Sequence, residues 1–170
     1  MKLTDLFLAD LERETPATRR TLERVPDGLY EWKPHEKSMT LGYLTTLVAT
    51  MPGWIAMMVN QDQLDVAPKS PSGYKPPELR TSRELVRAFD EAVEKARAAL
   101  SATTDAHLMT EWKLLAGGRV MQEQPRHVAI RDGVFHHLAH HRGQLTVYLR
   151  LNDVAVPSIY GPSADEKPGQ

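Results

Sequence analysis

The sequence contains no cysteine, and this absence excludes several kinds of chemistry at once. Disulfide bonds, thiolate metal ligands and a cysteine nucleophile are all ruled out, which is consistent with a reducing compartment. No run approaches the about 18 consecutive apolar residues that indicate a membrane-spanning helix. The first residues also include acidic side chains, unlike the apolar stretch of a signal peptide. We therefore expect a cytoplasmic protein with no membrane segment.

An excess of charge of one sign is missing as well. Lys and Arg number 21 against 22 Asp and Glu, for a formal net charge of -1. Nucleic-acid-binding domains usually carry a broad basic face, so no nucleic-acid partner is expected. With 170 residues, 41% of them hydrophobic and 25% charged, the composition is typical of one globular domain spanning residues 1–170.

The spacing of apolar residues predicts four amphipathic helices. Apolar side chains recur at steps of three and four residues over residues 3–22, 41–59, 85–100 and 125–151. Pro52 falls inside the second helix, where the missing backbone N–H should kink the axis. The segment Thr81-Ser82-Arg83-Glu84 matches a capping box at the start of the third. These patterns predict an all-α fold of the four-helix-bundle type.

Two of the connections are long. Residues 61–80 contain four prolines and no sustained period, and a loop of that length in a compact domain usually covers or lines something. Residues 103–124 place Gly117-Gly118 between apolar pairs, which is compatible with a short β-hairpin before the last helix and equally with an irregular loop. His35 follows a proline and is interpreted as a capping or packing residue rather than a site residue.

Histidines are concentrated in the last predicted helix. Four of the seven in the chain stand within six residues of one another. At about 100° per residue, His137 and His141 fall on the core-facing stripe, whereas His136 and His140 project to roughly the opposite side. Two imidazoles one helical turn apart can bind one divalent ion, provided that another helix supplies a third ligand. The alternative is a buried pair that hydrogen-bonds to its neighbours.

Several stretches of the sequence, taken together, resemble the DinB-like family. The resemblance covers nearly the whole chain in the expected order. The stretches are PHEKS at 34–38, LGYL at 41–44, MPGW at 51–54, HLAHHRGQ at 137–144 and YGPSADE at 160–166.

This resemblance implies a four-helix bundle, often dimeric, that holds a divalent metal such as nickel or zinc on three histidines. The best-understood relatives are metal-dependent thiol transferases. The two ligands of the last helix match His137 and His141. The third family histidine aligns with Leu47, which cannot ligate a metal, and a shift of one residue brings only Thr46 or Val48 to that position.

The leucine leaves three outcomes for the site. The metal is absent, or it persists weakly on two histidines with waters or with His35, Asp62 or Asp65, or the pocket binds a ligand without metal. Loss of one of three imidazoles should cost several kcal/mol of metal affinity, because complete structural zinc sites bind with apparent totals of about 10–16 kcal/mol. We expect a site that is impaired for tight metal binding.

Two classes of function follow. The first is a metal-dependent transferase or hydrolase acting on a small thiol or another small molecule, in which the ion lowers the pKa of a bound water or thiol. The second is a metal-free, non-catalytic homodimer or small-ligand-binding protein related to stress. No catalytic residue can be named from spacing. A homodimer is expected because His136, His140, Val147 and Leu151 form a second, mixed face on the last helix.

Overall fold

A computed structural model of the protein describes residues 2–68 and 77–166. The fold is mostly helical, with one small sheet. The helices are α1 (Leu3–Glu23), α2 (Leu41–Thr50), α3 (Gly53–Asn60), α4 (Ser82–Ala102), α5 (Asp105–Leu108), α6 (Arg126–Ile130) and α7 (His137–Leu151), and a π-helical turn (Arg131–His136) joins the last two. The strands are β1 (Gln63–Asp65), β2 (Glu111–Ala116) and β3 (Arg119–Pro125).

The long helix α4 packs against α1, α2 and α3. Its first turn contains the predicted capping box: the Thr81 hydroxyl accepts from the Glu84 N–H at 3.2 Å, and the Glu84 carboxylate accepts from the Thr81 N–H at 3.0 Å. Two backbone donors that a helix start leaves unpaired are thereby satisfied. One face of α4, which includes Leu85, Phe89 and Leu100, is buried in the core, as the apolar spacing predicted.

The predicted helix over residues 41–59 is two helices in the structure. The α2 helix ends at Thr50, α3 begins at Gly53, and their axes meet at 53°. Pro52 has no N–H to continue the α2 hydrogen-bond ladder, so the chain turns at the proline instead of bending smoothly. Among the described residues no single helix is long and apolar enough to cross a membrane, and only the bent α2–α3 pair passes that test by length and composition.

The hairpin is confirmed, and the sheet has a third strand that the sequence did not predict. The β2 and β3 strands pair antiparallel around Gly117 and Gly118, which have φ of +62° and +81°, a backbone region that suits glycine. The β1 strand pairs parallel with β2. The interpretation of residues 61–80 as loop throughout was therefore wrong for Gln63–Asp65. Residues 69–76 of that predicted loop lie outside the described part of the chain.

Asp65 explains why β1 joins the hairpin. Its carboxylate accepts from the N–H groups of Gly117 at 2.9 Å and Gly118 at 2.7 Å, and from that of Ala67 at 3.0 Å. These three backbone donors hold the pKa of Asp65 below its ordinary value, with the Ala67 contact the largest cause. One carboxylate thus ties the residues after α3 to the hairpin turn.

The last predicted helix is interrupted by its π-helical turn. A π turn holds an extra residue, so the angular position of everything beyond it shifts relative to α6. His137 is the first residue of α7, and the histidine pair therefore lies directly after the irregular turn. The α7 helix packs mainly against α2 and also touches α1.

Candidate functional site

His137 and His141 face each other on α7, as the helical projection predicted. Their Nε2 atoms are 2.8 Å apart, within hydrogen-bonding distance. His141 is buried, with 7% of its surface exposed, and His137 is half-buried. The pair therefore lies at the edge of the core, where one imidazole is enclosed and the other is partly open.

Gln144 determines which ring nitrogens carry protons. Its Oε1 lies 2.7 Å from Nδ1 of His141, one helical turn away. An amide oxygen only accepts, so Nδ1 of His141 must donate, and Nε2 of the same neutral ring keeps its lone pair. That lone pair can accept only if His137 carries its proton on Nε2. The chain Gln144–His141–His137 is therefore consistent with a single set of tautomers.

The electrostatics favour a neutral His141. Burial lowers the pKa of His141 below its ordinary value of 6.5, and the nearby His137 and His140 lower it further. The hydrogen bond to Gln144 acts in the opposite direction but is outweighed. The geometry also opposes a proton on both Nε2 atoms, because the N–H groups of His137 and His141 would then point at each other across 2.8 Å.

The open side of the pair is bordered by an aromatic ring. Trp54 of α3 has its ring centroid 5.9 Å from that of His137, and it is half-buried. With the proton of His137 on Nε2, its Nδ1 carries a lone pair. That nitrogen has no hydrogen-bond partner among residues 2–68 and 77–166. The arrangement thus offers one acceptor beside one aromatic surface.

The outward histidines are exposed, again as predicted. His136 lies with Nδ1 at 3.3 Å from the Asp132 carboxylate, one turn earlier in the chain. His140 has its ring edge against His141, with centroids 4.9 Å apart. Both belong to the surface of the helix and not to the buried pair.

The three residues considered as replacement ligands have other roles. His35 is exposed and accepts the Lys37 N–H on Nδ1 at 3.2 Å. Asp62 pairs with Arg126, and Asp65 binds the hairpin turn. Within the described ranges no group of three or more His, Cys, Asp or Glu side chains could hold a metal ion. Completion of the site by one of these three residues stays a prediction.

The donor set does not fit the three-histidine metal site that the resemblance implies. Two imidazoles that bind one tetrahedral ion at about 2.0–2.1 Å place their ligating nitrogens about 3.3 Å apart. At 2.8 Å, the two Nε2 atoms hydrogen-bond to each other instead. The Leu47 side chain, which aligns with the third ligand, is half-buried and supplies no donor atom.

A second polar cluster anchors α7 and was not predicted. Arg142, the neighbour of His141, is fully buried and donates to Thr18 Oγ1 at 2.8 Å and to Tyr160 OH at 2.7 Å. The Glu14 carboxylate lies 2.6 Å from the same guanidinium and also accepts from Tyr160 OH at 2.9 Å. Tyr160 thereby ties the tail to α1 and α7. Arginine is rarely fully buried, so residue type gave no signal for the position of Arg142.

Comparison with known proteins agrees with this architecture. The sequence model of the DinB family matches residues 1–169. The chain belongs to the DinB family. It is 28% identical over 163 residues to the uncharacterized protein YrdA of Bacillus subtilis (strain 168), which covers 95% of this chain and 90% of YrdA.

Solved structures of DinB-like proteins share the fold. A DinB-like protein of Bacillus cereus ATCC 10987 matches with a TM-score of 0.69 and 22% identity, over 91% of this chain and 95% of that one. The DinB-like protein YjoA of Bacillus subtilis matches with a TM-score of 0.67 and 20% identity, over 89% and 96% of the two chains. The family resemblance read from the sequence is therefore confirmed, and with it the DinB-like fold class.

Proposed function

We propose that this DinB-family protein is a metal-independent small-molecule-binding protein, in which His137 accepts a hydrogen bond from the ligand. The observation that supports it is the hydrogen-bonded chain from Gln144 through His141 to His137. This chain commits both Nε2 atoms to each other and leaves the Nδ1 lone pair of His137 beside Trp54. A ligand with a thiol or hydroxyl donor and an apolar part suits that combination.

The alternative is a weak divalent-metal site related to that of metal-dependent thiol transferases. It is favoured by the convergence of the two Nε2 atoms and by the Nδ1 contact of His141, because metal-bound histidines usually donate their other N–H to an oxygen. Nickel or zinc held by two imidazoles and water would be bound loosely, since a third protein ligand is lacking. A transferase or hydrolase activity belongs to this alternative.

Metal analysis of tag-free protein separates the two candidates. We expect no retained nickel or zinc in the parent protein, and about one ion per chain in Leu47→His, because that change restores the donor expected from the family alignment. Near-stoichiometric metal in the parent that disappears in His137→Ala/His141→Ala would contradict metal independence. The matched control is His136→Ala/His140→Ala, because an exposed pair one turn apart can itself bind nickel during soaking.

Ligand binding can be followed through Trp54. In a Trp32→Phe/Trp112→Phe background, Trp54 is the remaining tryptophan, and N-acetylcysteine should change its fluorescence in a saturable manner. N-acetylalanine, which lacks the thiol donor, should bind at least tenfold more weakly. His137→Ala should abolish the thiol preference. Equal responses to both compounds would contradict the role of His137 as an acceptor.

A homodimer in the cytoplasm is the second part of the proposal. Val147 and Leu151 of α7 are 56% and 57% exposed, and exposed apolar side chains on one helix face are typical of protein contacts. His136 and His140 lie on the exposed side of the same helical region. The absence of cysteine is consistent with the cytoplasmic location.

A further inference from the structure

A second histidine, His107, lies in a polar cluster beneath the hairpin. The cluster is centred on Arg126, the first residue of α6, which is 1% exposed. Its guanidinium donates to the carbonyl of Glu111 at 2.9 Å, forms an ion pair with Asp62, and donates through Nε to Nε2 of His107 at 3.0 Å. Four elements therefore meet at one buried cation: the strand β2, the helices α5 and α6, and the segment that follows α3.

His107 cannot satisfy both of its neighbours. Its Nε2 also lies 2.9 Å from the carbonyl oxygen of Val59. Arg126 always carries its Nε proton, so Nε2 of His107 accepts from it only in the neutral tautomer that has its proton on Nδ1. The Val59 oxygen faces the same nitrogen with lone pairs of its own. One of the two contacts is therefore unfavourable in either protonation state.

The two protonation states favour different partners. Neutral His107 with its proton on Nδ1 accepts from Arg126, and its Nε2 lone pair faces the Val59 carbonyl unfavourably. Protonated His107 donates to Val59, whose carbonyl belongs to the last turn of α3, where a helix end favours a positive charge. The same proton removes the acceptor of Arg126 and places an imidazolium against a buried guanidinium.

We propose that His107 is a pH-sensitive switch, which holds Arg126 and the hairpin when neutral and transfers its contact to the end of α3 when protonated. The proposal rests on one ring nitrogen placed between a donor and an acceptor, because gain of a proton by that nitrogen exchanges one partner for the other. The hairpin responds because the Glu111 carbonyl in β2 shares the Arg126 guanidinium.

Four segments supply the ionisable groups in and around this cluster. They are Asp62 after α3, Asp105 in α5, Glu111 in β2, and Arg126 and His127 in α6. Asp105 accepts from the backbone of Leu3 and Thr4, and its pKa is lowered chiefly by the Thr4 contact. His127 has its Nδ1 at 3.2 Å from the Leu108 carbonyl and makes no hydrogen bond to the Arg126 side chain within the described ranges. Asp62 carries the negative charge of the cluster and is largely exposed.

Trp112, directly after Glu111 in β2, is a natural reporter for the switch. It is 4% exposed, and its Nε1 has no hydrogen-bond partner in the described residues. In a pH titration of a Trp32→Phe/Trp54→Phe background, its fluorescence should change in one step with the slope of a single proton. The emission should shift to the red on the acid side, as the hairpin loosens over the buried ring.

The decisive variant is His107→Gln. Glutamine has both an acceptor for Arg126 and a donor for Val59, and it does not titrate, so the pH step should disappear while the fold is kept. The matched control His127→Gln should retain the step. A step that persists in His107→Gln, its loss in His127→Gln, or a parent protein without any step would overturn the proposal.

Ring-nitrogen spectra of ¹⁵N-histidine-labelled parent protein test the same switch without a mutation. At pH 8 the Nε2 of His107 should give the signal of an unprotonated nitrogen, and on acidification that signal should move to the position of a protonated one. An Nε2 that is already protonated at pH 8 would overturn the proposal.

Discussion

At the scale of single residues, His141 shows how burial changes an ionisable group. Its pKa lies below the ordinary value of 6.5, with burial the largest cause. The unfolded chain therefore takes up its proton at a higher pH than the folded protein does. In the window between these two pKa values the unfolded state binds more protons, so the free energy of unfolding decreases as the pH falls.

We predict that His141→Gln weakens this pH dependence. Urea denaturation of parent and variant at pH 7.5, 6.5 and 5.5 measures it. The parent should lose more stability than the variant as the pH is lowered through 6.5, because glutamine takes up no proton. Identical losses would show that His141 is charged in the fold. His35→Gln, at an exposed position before α2 and away from the pair, is the control and should behave as the parent does.

Asp62 and Asp65, which the sequence analysis considered as possible metal ligands, have structural roles in the fold. Residue type alone made Asp62 and Asp65 plausible metal ligands, because carboxylates ligate divalent ions. Which atoms a carboxylate reaches is decided by segments far apart in the chain. Asp65 reaches a turn 52 residues away, and Asp62 reaches a cation 64 residues away. No periodicity in the sequence encodes such contacts.

At the scale of elements, two glycines within helices differ in the space around them. A Cβ added at Gly42 in α2 would lie 2.2–2.5 Å from ring carbons of Tyr30, which is far too close. A Cβ at Gly143 in α7 would meet nothing within 4 Å in the described structure. Gly42 therefore admits the Tyr30 ring at close range, whereas nothing in the described part of the chain requires a glycine at 143.

We predict opposite effects of alanine at these two positions. Gly42→Ala should destabilise the protein by about 1–3 kcal/mol, because the Tyr30 ring must move out of its packed position. Gly143→Ala should stabilise it by about 0.5–1 kcal/mol through the higher helix propensity of alanine. Chemical denaturation of the two variants, each the control of the other, checks the signs. A neutral Gly42→Ala would contradict the close packing.

The tail after α7 is held to the helices largely by carboxylates. Asp165 pairs with Arg150 and accepts from the Val156 N–H at 2.8 Å, while Glu166 pairs with Arg24 and accepts from the Ser158 N–H at 2.8 Å. The Arg150 contact is the largest cause that lowers the pKa of Asp165, and the Ser158 contact is the largest for Glu166. Docking of the tail is therefore stabilised above the ordinary carboxyl pKa values and is lost as the pH falls through the lower folded ones.

We predict that Asp165→Asn/Glu166→Gln reproduces the protonated tail at neutral pH. The amides of Val156 and Ser158 lose their carboxylate acceptors in this variant, so their hydrogen exchange should become several-fold faster. Amides within α4 should be unaffected and serve as the internal reference. A Glu31→Gln variant controls for the loss of surface charge. Unchanged exchange at both tail amides would mean that Tyr160 alone holds the tail.

At the scale of the whole molecule, exposed apolar surface bears on the proposed homodimer. The exposed apolar residues of α7 are candidates for a contact between two copies, and the hairpin has a comparable exposed pair in Val120 and Met121, at 45% and 61%. Exposure alone does not tell the two surfaces apart. The choice of α7 rests on the helix face shared with the outward histidines.

We predict that Val147→Glu/Leu151→Glu converts a dimer into a folded monomer. Two carboxylates on a shared apolar surface would be buried without partners in a dimer, which costs far more than their exposure in a monomer. Light scattering coupled to size-exclusion chromatography measures the mass. Val120→Glu/Met121→Glu is the matched control and should leave the dimer intact. A parent protein that is already monomeric would contradict the proposed assembly.

The sequence by itself determined what depends on local periodicity and residue chemistry. It predicted four amphipathic helices, the capping box at Thr81, a kink at Pro52 and the inward direction of His137 and His141, because each follows from residues within a few positions of one another. It left the glycine segment open between a hairpin and an irregular loop. The family resemblance added the fold class. These features could be predicted since helical spacing and backbone freedom are properties of short segments.

Only the tertiary structure decided which groups meet. The strand pairing at residues 63–65, the burial of Arg126 and Arg142, and the 2.8 Å contact between the two Nε2 atoms all depend on how separate segments pack. Residue type does not distinguish a buried arginine from a solvated one. It also does not say whether a histidine accepts a hydrogen bond from a cation or donates one to a carbonyl. The partners of these side chains come from elsewhere in the chain, so their roles became defined only when the fold enclosed them.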